Sequence, residues 1–75
     1  MGMVKYSIPD MCYELDVPNT TIQEVKNKLR IKGNANEEGF KKIKRFIEDV
    51  RKCEGKTSLS AINDFLDTHK LEDYR

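Results

Sequence analysis

The sequence offers little of what most chemistry needs. Two cysteines, Cys12 and Cys53, and one histidine, His69, are its only thiol and imidazole metal donors. The cysteines lack the close spacing of a zinc or redox pair. Cys12 lies beside apolar residues in a helical pattern and reads as a small buried hydrophobe; a disulfide with Cys53 stays open at this level. His69 has no neighbouring Cys or second His, so neither a metal site nor a cofactor is expected. There is no glycine-rich phosphate loop and no nucleophile paired with a base, so an enzyme is not expected either. No apolar run approaches the ~20 residues of a membrane span, and the N-terminus does not read as a signal peptide. The expectation is a cytoplasmic protein with no membrane partner. Aromatic residues make up 8% of the chain. Phe40, Phe46 and Phe65 fall at helical spacing and read as core, while Tyr6 and Tyr13 do not make the exposed set that stacks single-stranded RNA. Internal repeats and low-complexity segments are missing too.

What is present suffices for one small domain. Seventy-five residues set that size, and 36% are charged, with mixed sign. The formal net charge of +1 hides an uneven distribution. Residues 26–56 hold eleven Lys and Arg against five Asp and Glu, while residues 1–25 and 57–75 are net acidic. A cationic middle is where a polyanion would be met, and it is also what a solvated lysine-rich helix looks like. Met1-Gly2 ahead of Met3 reads as a cloning remnant, with the native start at Met3.

The periodicity predicts four helices. Residues 1–5 form an extended lead-in, with Val4-Lys5-Tyr6 a short strand or simply extended. Ser7 is an N-cap, Pro9 sits in the first turn, and Ile8, Met11, Cys12 and Leu15 share one face of a helix from about Ile8 to Leu15. Pro18 breaks that helix, and Val17 plugs the turn. A second helix, Thr20–Arg30, opens on a capping box of Thr20 with Gln23 or of Thr21 with Glu24. Its buried stripe is Ile22, Val25 and Leu29, which leaves Thr20, Gln23, Lys26, Asn27 and Arg30 outward. Lys32-Gly33-Asn34 is a turn, either the tip of a very short wing between Arg30-Ile31 and Ala35 or a plain loop. Asn36 caps a third helix bearing Phe40, Ile43, Phe46, Ile47 and Val50, and Gly55 stops it. Thr57-Ser58 opens the fourth, with Leu59, Ile62, Phe65 and Leu66 as its apolar face. Residues 69–75 read as a polar, frayed tail in which Leu71 and Tyr74 have the option of packing.

Two short helices joined by a tight turn, the second with a polar outer face, are what a helix-turn-helix requires. Gln and Asn pair bidentately with adenine, Arg pairs with guanine, and Thr20 near a helix N-terminus meets phosphate. Tyr6-Ser7-Ile8, Leu15-Asp16-Val17, Thr21-Ile22, the Phe40, Ile43, Ile47 stripe and Gly55-Lys56-Thr57-Ser58-Leu59-Ser60-Ala61-Ile62 together resemble the MerR-type winged-helix family. The resemblance covers roughly residues 6–66. Gln23 replaces the family's usual DNA-contacting arginine, and Lys32–Glu38 is short for a full wing. Only Gly39-Phe40-Lys41 stands near the family's glycine-tyrosine-arginine wing element. The long effector-binding and dimerising region of larger members has no counterpart, so no small-molecule effector is implied.

The expected fold is therefore mainly α: a small winged helix-turn-helix over residues 6–68, with four helices and a short or degenerate wing. The resemblance implies a sequence-specific double-stranded DNA-binding protein, an accessory or transcriptional regulator of phage or plasmid type, or the N-terminal domain of a longer chain. It would act as a dimer or by side-by-side loading. Thr20, Thr21, Gln23, Lys26, Asn27 and Arg30 are expected in or beside the major groove, with Lys32 and Lys41 on the backbone. The rival is a small helical protein-protein interaction module, an adaptor or inhibitor. A helical RNA binder is a third option.

Overall fold

Ser7 closes a short extended stretch and starts the first helix, for a local reason. Its Oγ accepts the Asp10 N–H, and the Asp10 carboxylate accepts the Ser7 N–H at 3.2 Å, a reciprocal cap. The computed structural model describes residues 5–75; the expected native start at Met3 and the Val4 part of the lead-in lie outside the described residues. Lys5–Tyr6 form strand β1, and helix α1 runs Ile8–Leu15. Asp16 then turns the chain in the left-handed region at φ 55°, and the Val17 N–H returns to the Cys12 carbonyl at 3.1 Å. That is the six-to-one bond of a Schellman motif, made without glycine. Val17 is buried in the turn as expected.

Helix α2 spans Asn19–Lys28, beginning one residue earlier and ending two residues earlier than the pattern predicts. Neither threonine capping box forms. The extended Pro18 carbonyl takes the Thr21 and Ile22 N–H groups, and no side chain caps this end. At the other end Arg30 adopts φ 58°, with the Ile31 N–H on the Lys26 carbonyl at 2.9 Å and the Arg30 N–H on the Asn27 carbonyl at 3.2 Å. This is a second Schellman closure on a non-glycine residue.

That closure also decides the wing. With Arg30 turned into the left-handed region, Arg30-Ile31 does not lie flat as a strand. Strand β2, Ala35–Asn36, pairs antiparallel with β1 instead, with Lys5 opposite Asn36 and Tyr6 opposite Ala35. The Lys32–Asn34 segment between is a turn with Gly33 at φ 67°. Tyr6 stacks on Phe40, ring centroids 4.2 Å apart, so the small sheet is fixed to the start of the third helix.

Helix α3, Glu37–Glu54, follows its signals closely. Asn36 Oδ1 accepts the Gly39 N–H at 2.7 Å, Glu37 and Glu38 occupy the first turn, and Gly55 closes the helix at φ 75°. Helix α4, Leu59–Thr68, is capped by Ser58, whose Oγ accepts the Ala61 N–H. The core gathers Met11, Leu15, Val17, Ile22, Val25, Leu29, Ile43, Phe46, Ile47, Val50, Ile62 and Phe65. Leu59 is not part of it. As the first residue of α4 it overhangs the core and is 43% exposed.

The C-terminal residues do not fray. Leu71–Tyr74 form a 3-10 helix that seats Tyr74 against the edges of Phe46 and Phe65, with its hydroxyl donating to Asp49 and the Arg45 guanidinium over its ring. Arg75 donates to the Lys28 carbonyl at the end of α2. His69 lies flat on Phe65 at 4.0 Å. The aromatic cluster binds this segment to α3 and α4 in one packed unit. Its principal extents are 39 × 23 × 17 Å. Both cysteines are free, so the disulfide left open by the sequence is not formed. No helix among the described residues is long and apolar enough to cross a membrane.

Candidate nucleic-acid interface

The face of α2 divides by helical geometry. At ~100° per residue, Ile22, Val25 and Leu29 define one direction, and Thr20, Gln23 and Asn27 cluster nearly opposite it. All three of the latter are exposed. They form a polar ridge along the helix, and the surface falls away on both sides of it.

On the α4 side, Thr20, Gln23, Glu24 and Asn27 line a shallow depression with Leu59, about 200 Å³ in volume. On the other side, Gln23 and Asn27 share a larger cleft of about 310 Å³ with Ile8, Lys26, Ile31, Lys32 and Gly33. The two sides differ in charge. Glu24 brings a half-buried carboxylate to the first, 4.0 Å from Lys28 Nζ. Lys26 and Lys32 bring two cations to the second.

The predicted site residues separate accordingly. Thr20, Gln23 and Asn27 form the ridge, and Lys32 stands beside it in the cleft. Thr21 does not belong. It is 1% exposed, and its hydroxyl donates to the Thr57 carbonyl at 2.7 Å, tying α2 to the loop before α4. Lys26 is not outward as predicted, being only 8% exposed. Both residues fall on the shoulders of the apolar stripe, where a neighbouring element rather than the helix period decides exposure. The Thr57 carbonyl takes the Thr21 hydroxyl, and Lys26 lies in the cleft that Ile31, Lys32 and Gly33 also line. Arg30 is exposed beyond the helix end in its left-handed conformation and lines neither hollow. Lys41 lies on the first turns of α3, exposed and 3.9 Å from Glu37, and it too lines neither. An exposed pair of this kind fixes little.

The pattern did not single out Leu59, Ile31 and Gly33 for this surface. Leu59 carried a signal that points the other way, since it reads as the first apolar residue of α4. Ile31 and Gly33 reach the surface because of the Schellman closure at Arg30, which an arginine does not advertise. At the start of α2, the half-buried Cys12 thiol donates to Asn19 Oδ1, and burial pushes its pKa up, so it stays protonated at neutral pH. It holds the α1–α2 junction.

No protein-family model, curated protein or solved structure was found to match the chain.

Proposed function

We propose that this domain is a sequence-specific double-stranded DNA-binding module, an accessory or regulatory protein of the kind the MerR-type resemblance implies. In this reading α1 and α2 act as the helix-turn-helix, and the Lys32–Asn34 turn stands in for a wing. The observation that carries it is the Thr20–Gln23–Asn27 ridge: three hydrogen-bonding side chains, aligned on one exposed helical face, with a cationic cleft along one flank. Gln23 and Asn27 suit adenine edges in the major groove, and Thr20 suits a phosphate near the helix N-terminus. Arg30 and Lys32 follow the backbone beyond the helix end. One module this small covers a single half-site, so useful affinity needs a second copy, as a dimer or on an adjacent repeat.

The test is selection of bound fragments from random duplex DNA, followed by gel shifts over a salt series. The expected result is an enriched motif, an affinity that falls steeply with salt, and a relaxed preference when Gln23 and Asn27 are changed to alanine. Each lost bidentate contact removes about 5- to 100-fold of discrimination. A chain that enriches no sequence and is not retained on duplex at low salt does not have this function. The other reading, a helical protein-interaction module, has one observation in its favour: Tyr13 on α1 is 87% exposed and Leu59 is 43% exposed. Nuclease separates the two, since protein-partner capture survives it and DNA-dependent retention does not.

A further inference from the structure

The cleft beside the ridge contains a group that the fold itself leaves unused. Lys26 is 8% exposed, yet among the described residues it makes no hydrogen bond and no ion pair. No fully buried side-chain nitrogen or oxygen among them lacks a partner, and Lys26 lines the hollow beside the ridge, which is open to solvent. A long aliphatic stem held by packing, with a charge at its tip and no ion-pair partner among the described residues, is a cation held in place before any ligand arrives.

Its polar neighbours in the cleft can each offer a positive charge or an N–H donor. Lys32 adds a second cation, Gln23 and Asn27 add amide donors, and Gly33 exposes backbone at φ 67°. Among the described residues the cleft lining includes no carboxylate. Ile8 and Ile31 form apolar walls that lower the local dielectric and strengthen any charge pairing inside. The volume of about 310 Å³ has room for a phosphate group with its attached sugar oxygens.

We propose that this cleft is a phosphate pocket that takes one backbone phosphodiester of duplex DNA, with Lys26 as its fixed cation and Lys32 closing over it. The proposal rests on the DNA-binding reading and deepens it, because it names the contact that sets register on the duplex. Bound there, a phosphate is held against the side of α2, so the ridge enters the groove at one depth and angle.

The experiment uses the full chain and two probes, a short duplex and inorganic phosphate, with sodium chloride as the ionic-strength control. Lys26→Met keeps the stem and deletes the charge, Lys32→Ala opens the pocket, and Lys56→Ala removes an exposed cation outside it. Lys26→Met is expected to fold, to weaken duplex binding about tenfold, and to reduce the slope of log affinity against log salt by about one. Lys32→Ala gives a smaller loss in the same direction, and Lys56→Ala changes neither. In nuclear magnetic resonance spectra, inorganic phosphate should move the Asn27 and Gln23 side-chain amides and the Gly33 N–H in wild type but not in Lys26→Met; saturating duplex should move the Gly33 N–H in wild type alone, and the Asn27 and Gln23 amides, which meet the bases, in both. If duplex binds with unchanged affinity and salt slope in Lys26→Met, the pocket is overturned while DNA binding stands. If wild type ignores duplex but inorganic phosphate moves these signals saturably and Lys26→Met abolishes the response, the pocket stands as a site for free phosphate groups and DNA binding falls. Should neither probe move them beyond sodium chloride, the pocket is overturned.

Discussion

Thr20 and Thr21 are adjacent in sequence and have opposite tasks, and a pair of substitutions separates them. In Thr21→Val the side chain keeps its shape and loses its hydroxyl. The residue is 1% exposed and its hydroxyl lies 2.7 Å from the Thr57 carbonyl, so the variant loses one well-formed hydrogen bond. It also leaves a carbonyl without its donor. A neutral hydrogen bond contributes a net ~1 kcal/mol, and an orphaned buried acceptor costs about 1–3 kcal/mol. Thr57 is half-buried, so water recovers part of that second cost, and the expected destabilisation is about 1–2 kcal/mol. For a domain of this size each kcal/mol lowers Tm by about 4–8 °C, which places the shift at about 5–15 °C. Thr20→Ala, at an exposed position in the first turn, should leave stability within about 0.5 kcal/mol of wild type. Urea melts followed by helical circular dichroism measure both, with an unchanged m-value certifying that only stability moved. Well below its melting point, Thr21→Val should bind duplex as wild type does, and Thr20→Ala should bind more weakly. Equal stability losses for the two variants, or a binding defect confined to Thr21→Val, would refute the inward placement of Thr21.

Two further changes probe the ends of the chain's elements. Asp16 holds φ 55°, a region that costs a non-glycine residue about 1–2 kcal/mol, with aspartate at the low end, so Asp16→Gly should raise stability by up to about 1 kcal/mol in the same melts. Loss of stability there would mean that the Asp16 side chain holds the turn. Tyr74 has its pKa pushed up to about 12, first by burial and then by its hydrogen bond to Asp49. The folded state therefore keeps the proton that the unfolded chain gives up near pH 10. Stability from this group is whole below that pH and drains away between about 10 and 12. Tyr74→Phe should be less stable at neutral pH and should lose that alkaline slope; an identical slope in both proteins would place the titration elsewhere.

The elements that could be read from the sequence are those whose causes lie within one turn of chain. Ser7 with Asp10, Asn36 with Gly39 and Ser58 with Ala61 are caps three residues apart, and each fixed its helix start as expected. The stripes of α2 and α3 were equally local. What escaped were contacts between distant residues and turns made by unusual ones. Thr21 meets Thr57 across 36 residues and Tyr74 meets Asp49 across 25, and no periodicity encodes either. Schellman closures at Asp16 and Arg30 were silent because glycine is their usual mark. At the second of these Arg30 leaves the extended region, and Ala35-Asn36 pairs with Lys5-Tyr6 rather than with Arg30-Ile31. Of the candidate site, the ridge was legible because it lies opposite the stripe, while Thr21 and Lys26 were misplaced because residues at its shoulders take their exposure from neighbours.

The cationic middle of the sequence shows the same division between composition and surface. Eleven Lys and Arg between residues 26 and 56 imply a broad positive field. The fold diverts part of it. Arg51 donates to the Leu15 and Asp16 carbonyls at 3.1 and 3.2 Å, closing the C-terminal end of α1. Arg45 lies over the Tyr74 ring, Lys28 faces Glu24 and Lys41 faces Glu37. These cations hold helix ends, stack on the C-terminal segment or sit beside carboxylates. Lys26 and Lys32 remain beside the polar ridge of α2, and of the two only Lys26 is held in place by burial. Electrostatic attraction to a polyanion would then come from many weakly placed charges, while orientation on it would come from very few. The salt dependence of binding and the sequence preference should accordingly respond to different residues, with Lys26 the position where both are affected together.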